Sequence, residues 1–416
     1  MTKPRLPRLL LIGDAVAPTG FARVIYGIFR PLAERYQIHQ LGFNYDGDPH
    51  DWPWPIYPAG GADRLQWGVA RIDALVREIQ PDLVFLLHDP WVLAPALAQL
   101  RAFPGLPVVV YASFNAGPLD PETLAPFSGC ARFVVYTEFA RRAVAEGLAR
   151  AADAAETPAG EALRFPEIEV LPHGVDTGVF HPVEPDRDRA RRLARERLFP
   201  QNPELTDAFV VLNANRNQTR KRIDVTVEGF ARFAAGKPPN VHLHLHMGLD
   251  DQGWDLQRLA RRLGIDDRLI LTNPSRGIPS VSDAELNLIF NAADVGINTA
   301  TSEGWGLVSF EQAAAGLAQV VPGHTSGLEL WSGAAELLEP SLTLWEPTLL
   351  CAQHFIDSAT VAAALERLYR DDDHRRRLEA AALARARDDR YRWSEISARW
   401  DRLFEETLAG REGDHR

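Results

Sequence analysis

Two glutamates, Glu303 and Glu311, stand eight positions apart in Ser302-Glu303-Gly304-Trp305-Gly306-Leu307-Val308-Ser309-Phe310-Glu311. A backbone freed by Gly304 and Gly306 can approach a phosphate closely. The N–H groups of the helix expected from Leu307 and Val308 onward then offer a cradle for negative charge. Eight residues of helix make a little over two turns, which would set Glu311 below Glu303 on one side. One acid would stand near phosphates and the other near a hydroxyl-rich group, an arrangement suited to a nucleotide sugar. Upstream, residues 213–224 (NANRNQTRKRID) follow the apolar run Phe209–Leu212. Arg216 and Lys221 in this segment could both reach a diphosphate, the first as a planar fork and the second as a point charge. The segment also reads as a solvated basic loop, and it is the glutamate–glycine segment downstream that favours phosphate.

The elements that must position these groups follow from the apolar pattern. Strand-like runs recur at 9–13, 37–43, 83–88, 108–113, 133–137 and 168–171, and again at 209–213, 241–247, 269–272, 295–298 and 319–322. Helical patterns fall between them, at 21–35, 62–79, 138–149, 223–235, 254–264, 283–291, 307–316 and 360–386. This alternation predicts parallel sheets with helices on both faces. Residues 387–408 form an amphipathic pattern with Trp393, Ile396, Trp400 and Phe404 on one side. Residues 150–165 read as a surface loop. Residues 183–200, dense in arginine, read as a solvated helix, with an acceptor or anionic-lipid face as the alternative.

Arg216, Lys221, Glu303 and Glu311 resemble, in type and spacing, the donor site of retaining nucleotide-sugar glycosyltransferases of the family-4 type (glycosyl transferases group 1). The segments Val170-Leu171-Pro172-His173-Gly174-Val175-Asp176 through Phe180-His181-Pro182 and Asn291-Ala292-Ala293-Asp294-Val295 are also similar to that family. The resemblance spans roughly residues 8–405 and is strongest over 170–330. It implies the GT-B architecture: two facing Rossmann-like α/β domains with parallel sheets, and a C-terminal helix crossing back to the N-terminal domain. The expected boundaries are 1–180 for the acceptor domain, 181–386 for the donor domain and 387–416 for the returning helix. By the same resemblance Arg216, Lys221 and Glu303 are the catalytic group. Gly20, Gly304, Trp305, Gly306, Leu307, Val308 and Glu311 bind the donor, Glu303 touching the transferred sugar and Glu311 the ribose.

The N-terminal half is less patterned. Gly20 opens a helix after a glycine-containing turn and would lie near the donor phosphates, although the turn does not match GxGxxG. His88 and Asp89 end an apolar strand, where open α/β sheets place ligands, so they read either as acceptor contacts or as a packed strand end. Asn115 stands about where many relatives carry a histidine that touches the sugar; an amide can hydrogen-bond a hydroxyl but cannot shuttle a proton at neutral pH. His173 reads equally as a cleft residue and as a packing residue of the domain junction. His242, His244 and His246 alternate along one strand and share a face, which suits zinc or plain packing. The resembled enzymes need no metal, so no metal and no cofactor beyond the donor substrate are expected. Trp305 reads as a packing aromatic, His324–Glu329 as a loop closing the pocket, and 273–277 as a lining of the base pocket.

The chain has 416 residues, enough for two domains, with 46% hydrophobic and 24% charged residues, as in globular proteins. No apolar run approaches the roughly 20 residues of a membrane span. The basic-then-apolar N-terminus is short and reads as a first strand, not a signal peptide. Two cysteines fit a reducing cytoplasm, with a peripheral place at a membrane surface left open. The net charge of −11 argues against a general nucleic-acid surface, while the arginine-rich segment leaves a local one open. The expected partners are a nucleotide sugar and a carbohydrate, lipid-linked or other hydroxyl acceptor. The rival readings are a nucleotide-sugar epimerase, a phosphorylase, and a catalytically silent sugar-nucleotide-binding protein.

Overall fold

A computed structural model describes residues 5–60, 67–153, 163–272 and 279–414. The chain divides into two compact units. Unit 1 comprises Met1–Gly174, Pro347–Cys351 and Arg390–Arg416, and unit 2 comprises Val175–Glu346 and Ala352–Asp389.

Unit 1 is built on strands β1 (Arg8–Asp14), β2 (Gln37–Phe43), β3 (Ile56–Pro58), β4 (Leu83–His88), β5 (Val108–Ala112), β6 (Arg132–Val135) and β7 (Ile168–Val170). They form one sheet in the order β3-β2-β1-β4-β5-β6-β7, and every pairing is parallel. Helices on both faces explain why all six residues of β4 are buried. The helices are α1 (Gly20–Phe29), α2 (Ile72–Ile79), α3 (Pro90–Leu100), α4 (Pro121–Leu124) and α5 (Glu138–Asp153). The helix expected over 62–79 is described from Ile72, and residues 61–66 and 154–162 lie outside the described residues.

Unit 2 repeats the plan with β8 (Phe209–Asn213), β9 (Val241–Leu245), β10 (Leu269–Leu271), β11 (Val295–Ile297), β12 (Ala318–Pro322) and β13 (Glu336–Leu338), in the parallel order β10-β9-β8-β11-β12-β13. A separate antiparallel hairpin joins β14 (Leu342–Trp345) to β15 (Ala352–Phe355). Its helices are α6 (Arg187–Leu198), α7 (Ile223–Ala234), α8 (Leu256–Leu263), α9 (Asp283–Asn291), α10 (Leu307–Ala314), α11 (Thr325–Trp331), α12 (Ser358–Arg370) and α13 (Asp372–Ala386). The single helix expected over 360–386 is two, broken at Asp371, whose side chain accepts from the His374 amide at 2.8 Å and caps α13.

The arginine-rich segment departs from expectation. It is helical, as α6, but its face toward α9 is internal. Arg191 and Arg195 are each 4% exposed. Arg195 donates to Asp294 at 2.7 Å and to the Ala292 and Ala208 carbonyls at 2.7 and 2.6 Å. Arg191 lies 3.0 Å from Asp294 and also pairs with Glu379. Buried carboxylates and carbonyls satisfy these guanidiniums, as buried charge demands, so only Arg189, Arg192 and Arg197 face solvent. The solvated-helix reading is corrected for Arg191 and Arg195, which also cannot serve as a lipid or acceptor face.

The C-terminal helix α14 (Trp393–Asp414) belongs to unit 1. Ile396, Trp400 and Phe404 are fully buried. Trp400 meets the rings of Phe85 at 5.2 Å and Tyr111 at 4.9 Å, and Phe404 stacks on Phe29 at 5.6 Å. Arg35 pairs with Asp401 at 2.9 Å on the rim. The fold is GT-B: two Rossmann-like units and a C-terminal helix that closes against the N-terminal one.

Candidate functional site

In unit 2 the strand order reverses between β8 and β11, the point where open parallel sheets leave a crevice beyond their carboxyl ends. The loops that leave these two strands are joined along their length. The Thr301 amide donates to the Arg220 carbonyl at 2.8 Å, and the Thr299 hydroxyl meets the carbonyls of Lys221 and Arg222 at 3.1 and 2.8 Å. Asn213 ends β8 and turns its loop, donating to Thr226 at 3.0 Å and accepting from the Asn215 amide at 3.0 Å.

Inside this joint Lys221 and Glu303, each 8% exposed, form a hydrogen-bonded ion pair. Asn298 donates to the same Glu303 carboxylate at 3.2 Å, and Arg220 lies 3.8 Å from it. Burial pushes the Glu303 carboxyl up, but Lys221 and Arg220 outweigh it and hold its pKa down at about 2. Burial also lowers the Lys221 ammonium, with Glu303 opposing. With two cations and an amide facing it, Glu303 is ionised at neutral pH.

The segment between the glutamates is not continuous helix. Gly306 takes φ 85° and ψ 55°, a left-handed conformation that favours glycine, and α10 begins only at Leu307. Glu303 therefore sits in the preceding loop, and the expectation that both acids share a helix face two turns apart is corrected. Glu311 lies a little over one turn into α10, 7% exposed. Leu307 and Val308 form the half-exposed first turn of α10. Trp305 is buried and stacks on Phe310 at 4.9 Å, a packing contact. The segment His324–Glu329, expected as a loop, opens helix α11, and its first turn clamps the backbone of Glu303. The Ser326 hydroxyl donates to the Glu303 carbonyl at 2.6 Å, and the Glu303 amide donates to the Thr325 hydroxyl at 3.2 Å. Gly304 follows inside this clamp.

Arg216 shares the β8–α7 connection with Lys221 but is exposed, and it holds Asp251 through two bonds of 3.0 Å. Nearby, Asn217 pins the loop after β9 by accepting from the Trp254 amide at 3.0 Å. His244 and His246 do share a strand face, and both meet the Thr272 hydroxyl, at 2.8 and 3.0 Å. Burial lowers their pKa values to about 3 and about 4. Among the described residues no group of three or more His, Cys, Asp or Glu side chains could hold a metal ion. The base-pocket reading for 273–277 lies outside the described residues.

Unit 1 has its own switch point, between β1 and β4. Asp14 ends β1 and His88 ends β4, and they meet there with Nε2 3.5 Å from Oδ1. Asp14 accepts from Thr19 at 2.5 Å and from Asn44 at 3.0 Å. Thr19 also caps α1, accepting from the Ala22 amide, so exposed Gly20 opens that helix beside the site. Asp89, the residue before α3, has its carboxylate 4.0 Å from His88 Nδ1. Rings of Phe21, Phe43 and Trp67 surround the imidazole at 4.5, 5.8 and 5.2 Å. Asn115 follows β5, partly exposed. His173 is buried among aromatics, 2.9 Å from the Tyr111 hydroxyl and 4.0 Å from the Tyr136 ring, and burial lowers its pKa to about 3.

Sequence reasoning passed over Asn298, Arg220 and Asp251 in unit 2, and Asp14 and Trp67 in unit 1. Asp14 and Asn298 left a sign, each as the polar residue that closes an apolar strand run.

No protein-family model matches the chain. Among curated proteins it is similar to the mannosylfructose-phosphate synthase of Agrobacterium fabrum, 28% identical over 169 residues, 39% of this chain and 34% of that protein. It is also similar to the D-inositol 3-phosphate glycosyltransferase of a Nocardioides species, 33% identical over 231 residues, 53% of this chain and 44% of that protein. The matched segments thus span a third to under half of these relatives. Among solved structures it resembles the sucrose-phosphate synthase of Thermosynechococcus elongatus, with TM-score 0.73 and 17% identity over 98% of this chain and 100% of that one. It also resembles HepE of Anabaena in complex with UDP and glucose, with TM-score 0.69 and 16% identity over 96% and 100%.

Proposed function

We propose that the chain is a retaining glycosyltransferase of the family-4 type, moving a sugar from a nucleotide-diphosphate sugar to an acceptor hydroxyl without a metal ion. The observation that carries this reading is the buried Lys221–Glu303 pair at the switch point of unit 2, beside the opening turn of α10. Relatives named as glycosyltransferase and synthase, and a structural neighbour holding UDP and glucose, support it. In this reading residues 181–386 hold the donor and residues 1–180 the acceptor, and the reaction belongs to the cytoplasm.

Lys221 and Arg216 meet the diphosphate, with Leu307 and Val308 amides completing its cradle and Gly304 and Gly306 giving it room. Glu303 takes the transferred sugar's hydroxyls and Glu311 those of the ribose. The bond from the anomeric carbon to the diphosphate oxygen breaks as the acceptor oxygen bonds to that carbon on the same face. The acceptor's proton leaves with the diphosphate. The fixed cations and amides act on charge that grows on the leaving group, the condition under which preorganised dipoles accelerate most. Gly20, His88, Asp89 and Asn115 serve the acceptor side, and His173 supports it from the core.

Melting curves with UDP-, GDP-, ADP- and TDP-sugars identify the donor, because a ligand that binds the folded state raises its apparent stability. Turnover of that donor is expected to persist in excess chelator. No stabilisation by any of the four, or activity abolished by chelator and restored by zinc, defeats the proposal.

A further inference from the structure

We infer that the outer edge of β14 is the place where a second copy of this chain pairs, strand against antiparallel strand about a two-fold axis. The inference goes beyond the glycosyltransferase reading and does not rest on it.

Of the nine large apolar side chains that stand exposed among the described residues, five fall between Leu342 and Leu350, in β14 and the turn that follows it. In β14 itself Leu342, Leu344 and Trp345 are 52, 49 and 63% exposed. Single apolar side chains on a surface are ordinary, whereas five crowded into one hairpin form a patch that marks an interaction surface. The five leave on the order of 500 Å² in water, against the roughly 800 Å² that each partner gives to a standard interface. Among the described residues β14 pairs with β15 alone, so its outer edge has no strand beside it. Proteins guard such an edge with charge or proline. The strand Leu342-Thr343-Leu344-Trp345 contains neither.

The occupant must bring both apolar side chains and backbone N–H and C=O groups, which is what another strand offers. A bilayer surface offers no ladder of backbone groups, and residues 341–356 hold no lysine or arginine that would draw them to anionic lipid. A second β14 fits. Uncharged itself, it demands no partner of opposite sign, and run antiparallel it sets leucine beside leucine in an isologous contact. The pairing stops at two copies, because the far edge of the hairpin is already used: the His354 amide donates to the Thr301 carbonyl at 3.0 Å. Glu339-Pro340 and Glu346-Pro347 bracket the strand and keep the ladder short.

The test is sedimentation velocity of the full chain over a concentration series without lipid, with flotation on phosphatidylcholine vesicles beside it. A species of twice the mass of one chain is expected, with a dissociation constant in the micromolar range, as suits a patch at the small end of stable interfaces. Leu344→Lys sets like charges across the two-fold contact and removes a leucine from each copy, and should weaken the dimer roughly tenfold or more. Trp91→Ala, at a 59% exposed position in α3, should leave the dimer unchanged. The melting temperature of each variant reports its folding. A chain that stays single up to roughly 100 µM, a dimer that survives Leu344→Lys, equal loss in Trp91→Ala, or a monomer that floats with the vesicles overturns the inference.

Discussion

At Lys221 two effects pull against each other: burial lowers its pKa, and Glu303 raises it. Arg216 is exposed and is held by Asp251, whose side chain is 8% exposed. The two therefore separate on substitution. Lys221→Ala strands the Glu303 carboxylate in a buried place and should destabilise unit 2 by about 3–5 kcal/mol. Arg216→Ala takes two hydrogen bonds from the Asp251 carboxylate and should cost about 1–3 kcal/mol. Both should lower donor turnover by roughly 100- to 1,000-fold. Paired denaturant and initial-rate measurements check this; normal turnover in both variants removes the diphosphate assignment. The sequence marked Lys221 and Glu303 by type and spacing but assigned them to different parts of the donor. That they grip each other in this structure depends on a contact across 82 positions, which no local pattern encodes.

Elements, more than single residues, hold the site open. Gly306 reverses the chain between Glu303 and α10 with its left-handed backbone. Gly306→Ala should cost about 1–2 kcal/mol and lower turnover by shifting the α10 amides; a variant with the wild-type melting curve and rate would show that the turn is not needed. At the other end of the chain, α14 carries Trp400 into the face of β4 and β5. Trp400→Ala should destabilise unit 1 by about 3–5 kcal/mol, read by chemical denaturation, with no comparable loss in unit 2. Long elements were legible: β2, β4, β8 and α9 run as their apolar periods predict. Helix α3 escaped notice because Pro90 and Pro95 read as breakers, although proline at a first helical position is tolerated. Strands β3 and β13, three residues each, and the hairpin of β14 and β15 are too short to show a period.

Across the molecule, burial holds four histidines neutral: His173 in unit 1 at about 3, and His244, His246 and His324 in unit 2 at about 3, 4 and 4. Each has a folded pKa below its ordinary 6.5. The unfolded chain thus binds more protons as pH falls below that value. The stability these groups contribute is fully present above it and is lost on acidification toward their folded values. Unit 2, with three of the four, should lose stability more steeply than unit 1 between pH 6.5 and about 4. Denaturant midpoints followed at several pH values by probes in each unit measure this; a flat profile over that range would count against buried, neutral imidazoles.

What residue order alone determined was local and periodic: alternating strands and helices, the turn at Gly306, the apolar stripe of α14, and a short set of residues with the chemistry for phosphate and sugar. Tertiary structure decided which of those residues meet. The order of strands in a sheet places Lys221 against Glu303, and Asp14 against His88, at switch points that exist only once distant strands pair. It also turned the arginines of α6 inward, onto Asp294 and Glu379. The physical reason is the range of the forces involved. Backbone preference and apolar period act over a few neighbours, whereas the sign and burial of a side chain's partner are set by whichever segment the whole fold packs beside it.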